Sequence, residues 1–433
     1  MTYPDPSSKS AQLFERALKV LPDGGSRSSI SMAPYTPYIA KAQGKLLTDV
    51  DGNEYIDFNN NFTSLIHGHA HPAIVEAVTA QISVGSAVSF FSEAELKLAE
   101  LICARCEAFD KIRFMNSGTE AVMNAIKAAR AFTGKFKIAK CENFYHGSFD
   151  ASEVSLGVEP TDLAAGDPVS QAYSHGTPPG VMNDVVVIPF ADVEIAERIL
   201  NEHADELACV LFDPFGPGLG RYPPEDAFLQ MLARFRQQTG VLLVFDEVVA
   251  FRAGYSGAQA ARGLTADITA LGKIIGGGYP VGAVAGPADI MSVFEAGAEK
   301  ARLPHGGTFN ANPVTMAAGH AAMARMTESE FDRLNTLGDE FRAGLREVLD
   351  LTNTGGRVLG QASIFAIEID DEVLNGQSNR RGYTFQSLGL HNYMMNKGYF
   401  LSPGMYGALS TLMDRSDIDP LCQTLLEGIR ALR

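Results

Sequence analysis

Four short stretches carry residues whose types suit them to chemistry. Lys273 stands in LGKIIGGGYPVGA (271–283), between an apolar run that ends like a buried strand and a run of glycines. Asp246 and Glu247 end the apolar run VLLVFDEV (241–248), and carboxylates there must be solvated or paired, because burying one alone is costly. In NSGTEA (116–121), Ser117 and Glu120 have the spacing of a capping box. Gly118 lets backbone approach an anion, and the start of the following helix attracts phosphate. ENFYHG (142–147) sets the flat ring of Tyr145 beside the polar edge of His146. Each stretch also has a plain reading: a surface lysine, a solvated strand end, an ordinary helix cap, loop packing.

One chemistry uses all four together. Pyridoxal 5′-phosphate needs a lysine for its Schiff base, a carboxylate to keep its pyridine nitrogen protonated, an anion cradle for its phosphate and a ring to stack on. Lys273, displaced by substrate, then serves as the proton shuttle. Asp246 lies 27 residues before Lys273, and neighbouring strands in one sheet would bring both into one cleft.

The elements that must position these residues alternate. Short apolar runs read as strands at KIRF (111–114), FKIAK (136–140), VVVIPF (185–190), ACVLFD (208–213), VLLVFDEV (241–248) and DITAL (267–271). Uninterrupted apolar runs suit a parallel sheet covered on both faces. Between them, AVMNAIKAARAF (121–132) has helical spacing, with Val122, Ala125, Ile126 and Ala129 on one face. The expected architecture is α/β, with ligands at the carboxyl ends of the strands. Both chain ends differ: DVDGN (49–53) reads as a hairpin turn, and ASIFAIEI and GYFLSP as short strands among long helices. We therefore expect an N-terminal segment (1–65) and a C-terminal segment (321–433) to form a smaller α+β domain, and 66–320 a large domain with a mostly parallel central sheet.

Bulk properties narrow the partners. The 433 residues allow two or three domains with sizeable cores. A net charge of −16, without a dense Lys/Arg cluster, disfavours nucleic acid. No apolar run approaches the roughly 20 residues that cross a bilayer, and MTYPDPSSKS lacks a signal-peptide core, so no membrane role and a cytoplasmic location are expected. The five scattered cysteines argue against a disulfide framework. Cys103 and Cys106 form a CxxC within LKLAELICARC, which reads as an amphipathic helix using them for packing.

NSGTEA, YHG, FDEV, LGK and GTFNANP (307–313), with DGNEYIDF and HGHAHP upstream, resemble in order the class III, omega-type aminotransferases of the fold-type I pyridoxal-phosphate enzymes. The resemblance spans roughly 20–425. It implies Lys273 as the Schiff-base lysine, Asp246 at the pyridine nitrogen, Val248 on one ring face and Tyr145 on the other. It implies Ser117, Gly118 and Thr119 at the phosphate. Thr308 would reach the phosphate of the neighbouring subunit, making a homodimer with active sites at its interface. HGHAHP (67–72) would be a structural turn, not a metal site. One departure stands out. Where many members have Glu-Pro-x-Gln-Gly, this chain has Asp213-Pro214-Phe215-Gly216-Pro217, which bears on the polar contacts near the ring hydroxyl and on the pocket.

Within the family, NSGTEAVMNAIKAARAFTGK and YHGSFD look most like glutamate-1-semialdehyde aminomutases and the related β-amino-acid aminotransferases. Gly407 falls where the aminomutases carry a glutamate, and Gly404 where a β-phenylalanine-type enzyme carries an arginine. DGGSRSSISMAPY (23–35) fits the β-amino-acid type better, with Arg27 placed to clamp a carboxylate or to hold its own loop. Arg252 is a second candidate, and Phe90 a pocket wall. The expectation is transfer of an amino group from an amino donor to a keto acceptor. An aminomutase, or a lyase, decarboxylase or epimerase on the same scaffold, remains open. A silent scaffold is disfavoured by the intact Lys273 and Asp246, and a nucleotide-binding protein by the lack of GxxxxGK[ST] or GxGxxG after a strand.

Overall fold

Asp49 organises the turn at DVDGN. Its carboxylate accepts the backbone N–H groups of Asp51 and Asn53 and the hydroxyl of Tyr55 at 2.8–3.0 Å, the usual way an aspartate closes a turn. β1 (Ile39–Gln43), β2 (Leu46–Asp49) and β3 (Glu54–Asp57) run antiparallel in succession. The computed structural model describes residues 3–297, 300–369 and 388–433. The chain divides into two compact units, Ala73–Phe331 and the remainder, Met1–Pro72 with Asp332–Arg433.

In the larger unit the apolar runs form one seven-stranded sheet. Its strands are β4 (Lys111–Met115), β5 (Lys137–Cys141), β6 (Val185–Ile188), β7 (Leu207–Phe212), β8 (Leu242–Asp246), β9 (Ile268–Gly272) and β10 (Gly282–Gly286), in spatial order β4-β10-β9-β8-β7-β5-β6. β5 to β9 pair in parallel, while β10 runs antiparallel to both neighbours. Both faces are covered. One carries helix α2 (Gly118–Thr133), whose Ala121, Val122, Ala125 and Ile126 pack on Leu211, Val244 and Ala270. The other carries a phenylalanine-rich cluster in which Phe144, Phe212 and Phe228 stack at about 5.5 Å between centroids. Helix α1 (Glu93–Cys103) and helix α3 (Pro313–Met323) pack together, and α3 also packs on the turn that carries Lys273. That contact keeps the chain in the larger unit past residue 320.

Cys103 is the last residue of α1, but Cys106 lies beyond it, so the helix expected through both stops earlier. There Arg105 turns inward, its Nη2 donating to the carbonyls of Met323 at 2.5 Å and Met326 at 3.0 Å. All five thiols are free, and burial raises that of Cys103 to about 11.

The smaller unit holds two sheets. β13 (Tyr399–Phe400) adds in parallel to β3, and β11 (Gly356–Leu359), β12 (Ile364–Ile369) and β14 (Tyr406–Ala408) form an antiparallel trio. Phe58, Phe341 and Phe365 meet in its core, the last two at 4.6 Å. Two of the alternating histidines have hydrogen-bond partners nearby: His67 Nδ1 meets Thr411 Oγ1 at 2.9 Å and His69 Nε2 meets Asp57 at 2.7 Å. No cluster of metal-ligating side chains occurs among the described residues. No helix among them is long and apolar enough to cross a membrane.

Candidate active site at the strand ends

The carboxyl ends of β7, β8 and β9 deliver Asp213, Asp246 and Lys273 in neighbouring positions. Phe212 is the register partner of Phe245, so the next residues, Asp213 and Asp246, are side by side. Side chains alternate along a strand, which turns both away from the phenylalanine cluster and toward the face of Leu211, Val244 and α2. Helix α2 begins at the same edge of the sheet, immediately after β4.

Lys273 follows β9 with φ +48°. A non-glycine residue in this region costs of order 1 kcal/mol and persists only where its surroundings impose it. Here they do. The turn Lys273–Gly276 is followed by Gly277 at φ +59°, where an added Cβ would stand 2.4 Å from the carbonyl oxygen of Ala318 in α3. The glycine run thus lets α3 lie directly against the lysine's turn. Burial lowers the ammonium pKa of Lys273, against the opposing pull of the Asp246 and Asp213 carboxylates. A larger fraction of the amine is therefore neutral and nucleophilic than in water.

Asp246 is 6% exposed. Its Oδ1 accepts the Val248 N–H at 3.0 Å, and its Oδ2 lies 2.9 Å from His146 Nδ1. With Oδ2 as the acceptor, the Nδ1 proton is on His146. Burial lowers the His146 pKa despite that carboxylate, so the ring is neutral. Its Nε2 is buried without a hydrogen-bond partner among the described residues. Glu247 points elsewhere. It is fully buried and accepts the N–H groups of Ala258 at 2.8 Å and Gln259 at 3.0 Å, and burial lifts its pKa to about 7.

The start of α2 forms a cradle. Ser117 caps the helix, its Oγ accepting the Glu120 N–H at 3.1 Å. The capping box is displaced by one residue: the Glu120 carboxylate returns to Asn116 N–H at 2.8 Å, not to Ser117. Gly118 and Thr119 supply the first amides of the helix, which no α-helix satisfies internally. Thr119 Oγ1 accepts the Ser148 N–H at 3.2 Å, beside the loop of Tyr145 and His146. An added Cβ at Gly118 would stand 2.7 Å from Val248 Cγ1, so only glycine lets Val248 and the helix start meet.

Ser117, Gly118, Thr119, Asp246, Val248 and Lys273 are therefore brought together by the larger unit, with His146 and Asp213 among them. Other candidates are placed differently. Tyr145 is 58% exposed and Phe90 88% exposed. Thr308 is exposed on a turn tied to Asn116 through Asn310 at 2.7 Å. Arg252 is wholly buried, its pKa lowered by burial to about 9, which removes it from direct contact with a molecule arriving from solvent. Arg27 belongs to the smaller unit, where it donates to Asn61 at 2.9 Å and lies 5.3 Å over the Phe62 ring. Two members escaped the sequence reading: His146 as the partner of Asp246, and Asp213 as a third charged strand end. The signal for Asp213 was the acidic residue ending an apolar run, the same pattern that singled out Asp246.

A family model described as aminotransferase class-III matches residues 30–397, and the chain belongs to that family. It is 38% identical over 430 residues to a glutamate-1-semialdehyde 2,1-aminomutase from Ignicoccus hospitalis, covering 98% of this chain and 99% of that one. Among solved structures, an omega-transaminase from Sphaerobacter thermophilus superimposes with TM-score 0.92 at 46% identity, covering 100% of this chain and 99% of that one. A β-phenylalanine aminotransferase from Variovorax paradoxus gives TM-score 0.83 at 31% identity, over 98% and 94%. The fold is that of the fold-type I transaminases, the chain is an enzyme of this class, and the family, with a similar transaminase solved with PLP bound, indicates pyridoxal 5′-phosphate as its cofactor. The residues present fit that group. They offer a half-buried lysine, an acidic strand end held by a buried histidine, and a helix start where a Cβ would fill the approach.

Proposed function

We propose that the protein is an aminotransferase that moves an amino group from an amino acid, of the β-amino-acid type, to a keto acid. The observation that carries this reading is Lys273, held at positive φ at the strand ends beside Asp246. Bound pyridoxal phosphate supplies the carbonyl carbon that takes up the amino group and a ring that accepts electrons when a proton leaves the amine-bearing carbon. Lys273 Nζ is the base that receives that proton and returns it, a role its burial suits by raising the neutral fraction of the amine. Asp246 would hold the ring nitrogen, and His146, neutral and donating to Oδ2, orients that carboxylate. Val248 and Tyr145 pack the two ring faces. Ser117, Gly118 and Thr119 bind the phosphate through the amides at the start of α2. Phe90 lines the pocket, and Arg27 orients a substrate carboxylate. Thr308 completes the phosphate site of a second copy in a homodimer, and the cytoplasm is the proposed location.

Transfer is favoured over the aminomutase by Gly407. An added Cβ there would stand 2.1 Å from the Phe58 carbonyl oxygen, so the position read as the mutase glutamate has no room for a side chain. The 46% identity to an omega-transaminase points the same way. The second reading, glutamate-1-semialdehyde 2,1-aminomutase, is favoured by the naming of relatives such as that from Ignicoccus hospitalis.

The test is a half-reaction. A β-amino acid, an α-amino acid, a simple amine and the diamine form of glutamate-1-semialdehyde are each added alone to holoenzyme. Loss of the cofactor's visible absorbance marks a donor. A response to the β-amino acid is expected; a response to the diamine alone would give the mutase reading first place. Lys273→Ala should still bind cofactor and transfer nothing, and turnover by it would refute the assignment. Arg27→Ala should raise KM more than it lowers kcat.

A further inference from the structure

Asp213 is a charged residue at the strand ends that the mechanism above leaves unused. It follows β7, so it stands one strand from Asp246 and in the same register. Its turn is rigid. Oδ1 accepts the Phe215 N–H at 2.8 Å, and the Asp213 carbonyl oxygen accepts the Gly216 N–H at 3.0 Å. At Gly216, with φ +84°, an added Cβ would stand 2.0 Å from the Tyr222 carbonyl oxygen. One oxygen of the carboxyl group is thus committed to the turn, and Oδ2 remains for another partner.

From this geometry we propose that Asp213 is a cofactor-binding residue that donates a hydrogen bond to the phenolic oxygen of pyridoxal phosphate. The inference rests on the cofactor reading above. Neighbouring strands lie roughly 4.8 Å apart. The ring nitrogen and the phenol group of pyridoxal lie on one edge of the ring, separated by a single substituted carbon. Two side chains in register on adjacent strands, Asp246 for the nitrogen and Asp213 for the phenol, match that edge. The residues around Asp213 supply what donation requires. Burial and the Asp246 and Glu247 carboxylates raise its pKa well above the ordinary carboxylate range, against the opposing pull of the Phe215 N–H and Lys273. A protonated carboxyl group has one O–H to give. The same substitution accounts for the departure from Glu-Pro-x-Gln-Gly, since no amide side chain remains in Asp213-Pro214-Phe215-Gly216-Pro217 to contact the phenol.

The test is the pH midpoint of the visible absorbance of holoenzyme without substrate, measured with Asp213→Asn and Asp213→Ser. A donor to the phenolic oxygen stabilises its anion and weakens that oxygen's hold on the neighbouring proton, so removing the donor raises the midpoint. Asparagine keeps both a donor and the acceptor for Phe215 N–H. Serine keeps an oxygen for the turn but is too short to reach the ring. The asparagine variant should titrate with the parent, and the serine variant about one to two pH units higher, the worth of one hydrogen bond to a charged group. An unchanged midpoint in the serine variant overturns the proposal, as does a fall in either variant, which would mean that Asp213 acts as an anion. Failure of the cofactor reading itself looks different: the parent protein would then bind no pyridoxal phosphate and show no visible band.

Discussion

Gly118→Ala tests the tightest packing in the candidate site. Gly118 is the first residue of α2 and does not have positive φ, so alanine is compatible with its backbone. In a helix that change by itself favours folding by roughly 0.5–1 kcal/mol. The added methyl group, however, would stand 2.7 Å from Val248 Cγ1 and 3.0 Å from Cγ2. Val248 is β-branched and has few rotamers into which it can withdraw. Overpacking of this kind costs about 1–3 kcal/mol, so the net effect should be destabilising by about 1 kcal/mol in the cofactor-free protein. The cofactor site should suffer more, because Val248 is one wall of the ring site and Gly118 part of the phosphate cradle. The Kd for pyridoxal phosphate should rise about tenfold or more, where each decade corresponds to 1.4 kcal/mol. The assays are chemical unfolding of the cofactor-free protein and absorbance titration with pyridoxal phosphate. A double-mutant cycle with Val248→Ala isolates the contact, since trimming the valine should recover stability lost to the alanine. A Gly118→Ala protein that is more stable than the parent and binds cofactor as tightly, or a cycle with no coupling, would refute the packing argument.

Two further outcomes follow from buried charges. Glu247 titrates near 4.3 in an unfolded chain but at about 7 in the fold, through burial. Between those values the folded protein holds a proton that the unfolded chain has lost. Its contribution is therefore greatest below pH 4 and falls as pH rises through 7, by roughly 4 kcal/mol in total. Glu247→Gln should remove that component, and a variant whose urea midpoints at pH 5 and pH 8 differ as much as the parent's would show the reasoning to be wrong. Arg105, 4% exposed, donates to the Met323 and Met326 carbonyls and lies 4.3 Å from the Tyr255 ring centroid. Arg105→Met takes from the Met326 carbonyl its Arg105 donor and leaves the Met323 carbonyl only the Met326 N–H, and should cost about 2 kcal/mol, seen as a lowered Tm; an unchanged Tm would mean the guanidinium is not holding α3 to the end of α1.

The strand positions, helix α2 and the Asp49 turn were legible in the sequence because each is determined by near neighbours. Apolar runs bounded by turn residues form strands wherever they lie. Ser117 before a helical stretch and Gly134 after it, at φ +72°, mark the limits of α2. Lys273 was conspicuous because a lone lysine between an apolar run and glycines has few ordinary uses. The capping box was misjudged by one residue, since Asn116 and Ser117 offer the Glu120 carboxylate two adjacent amides and sequence spacing does not choose between them. The limit of α1 was missed for a different reason: Arg105 is drawn inward by carbonyls more than 200 residues away.

What the amino-acid sequence determined by itself was the inventory: a lysine, an acidic strand end, a capped helix start and the family pattern that orders them. Tertiary structure decided which of these are neighbours. The pairing of His146 with Asp246 spans 100 residues, and the register that sets Asp213 beside Asp246 depends on β7 and β8 being adjacent in a sheet of order β4-β10-β9-β8-β7-β5-β6. It also decided that Arg252 is enclosed while Tyr145 is open. The physical reason is range: turn chemistry and hydrophobic period act over a few residues and are written locally, whereas strand order and burial are settled by how the whole chain covers its apolar surface.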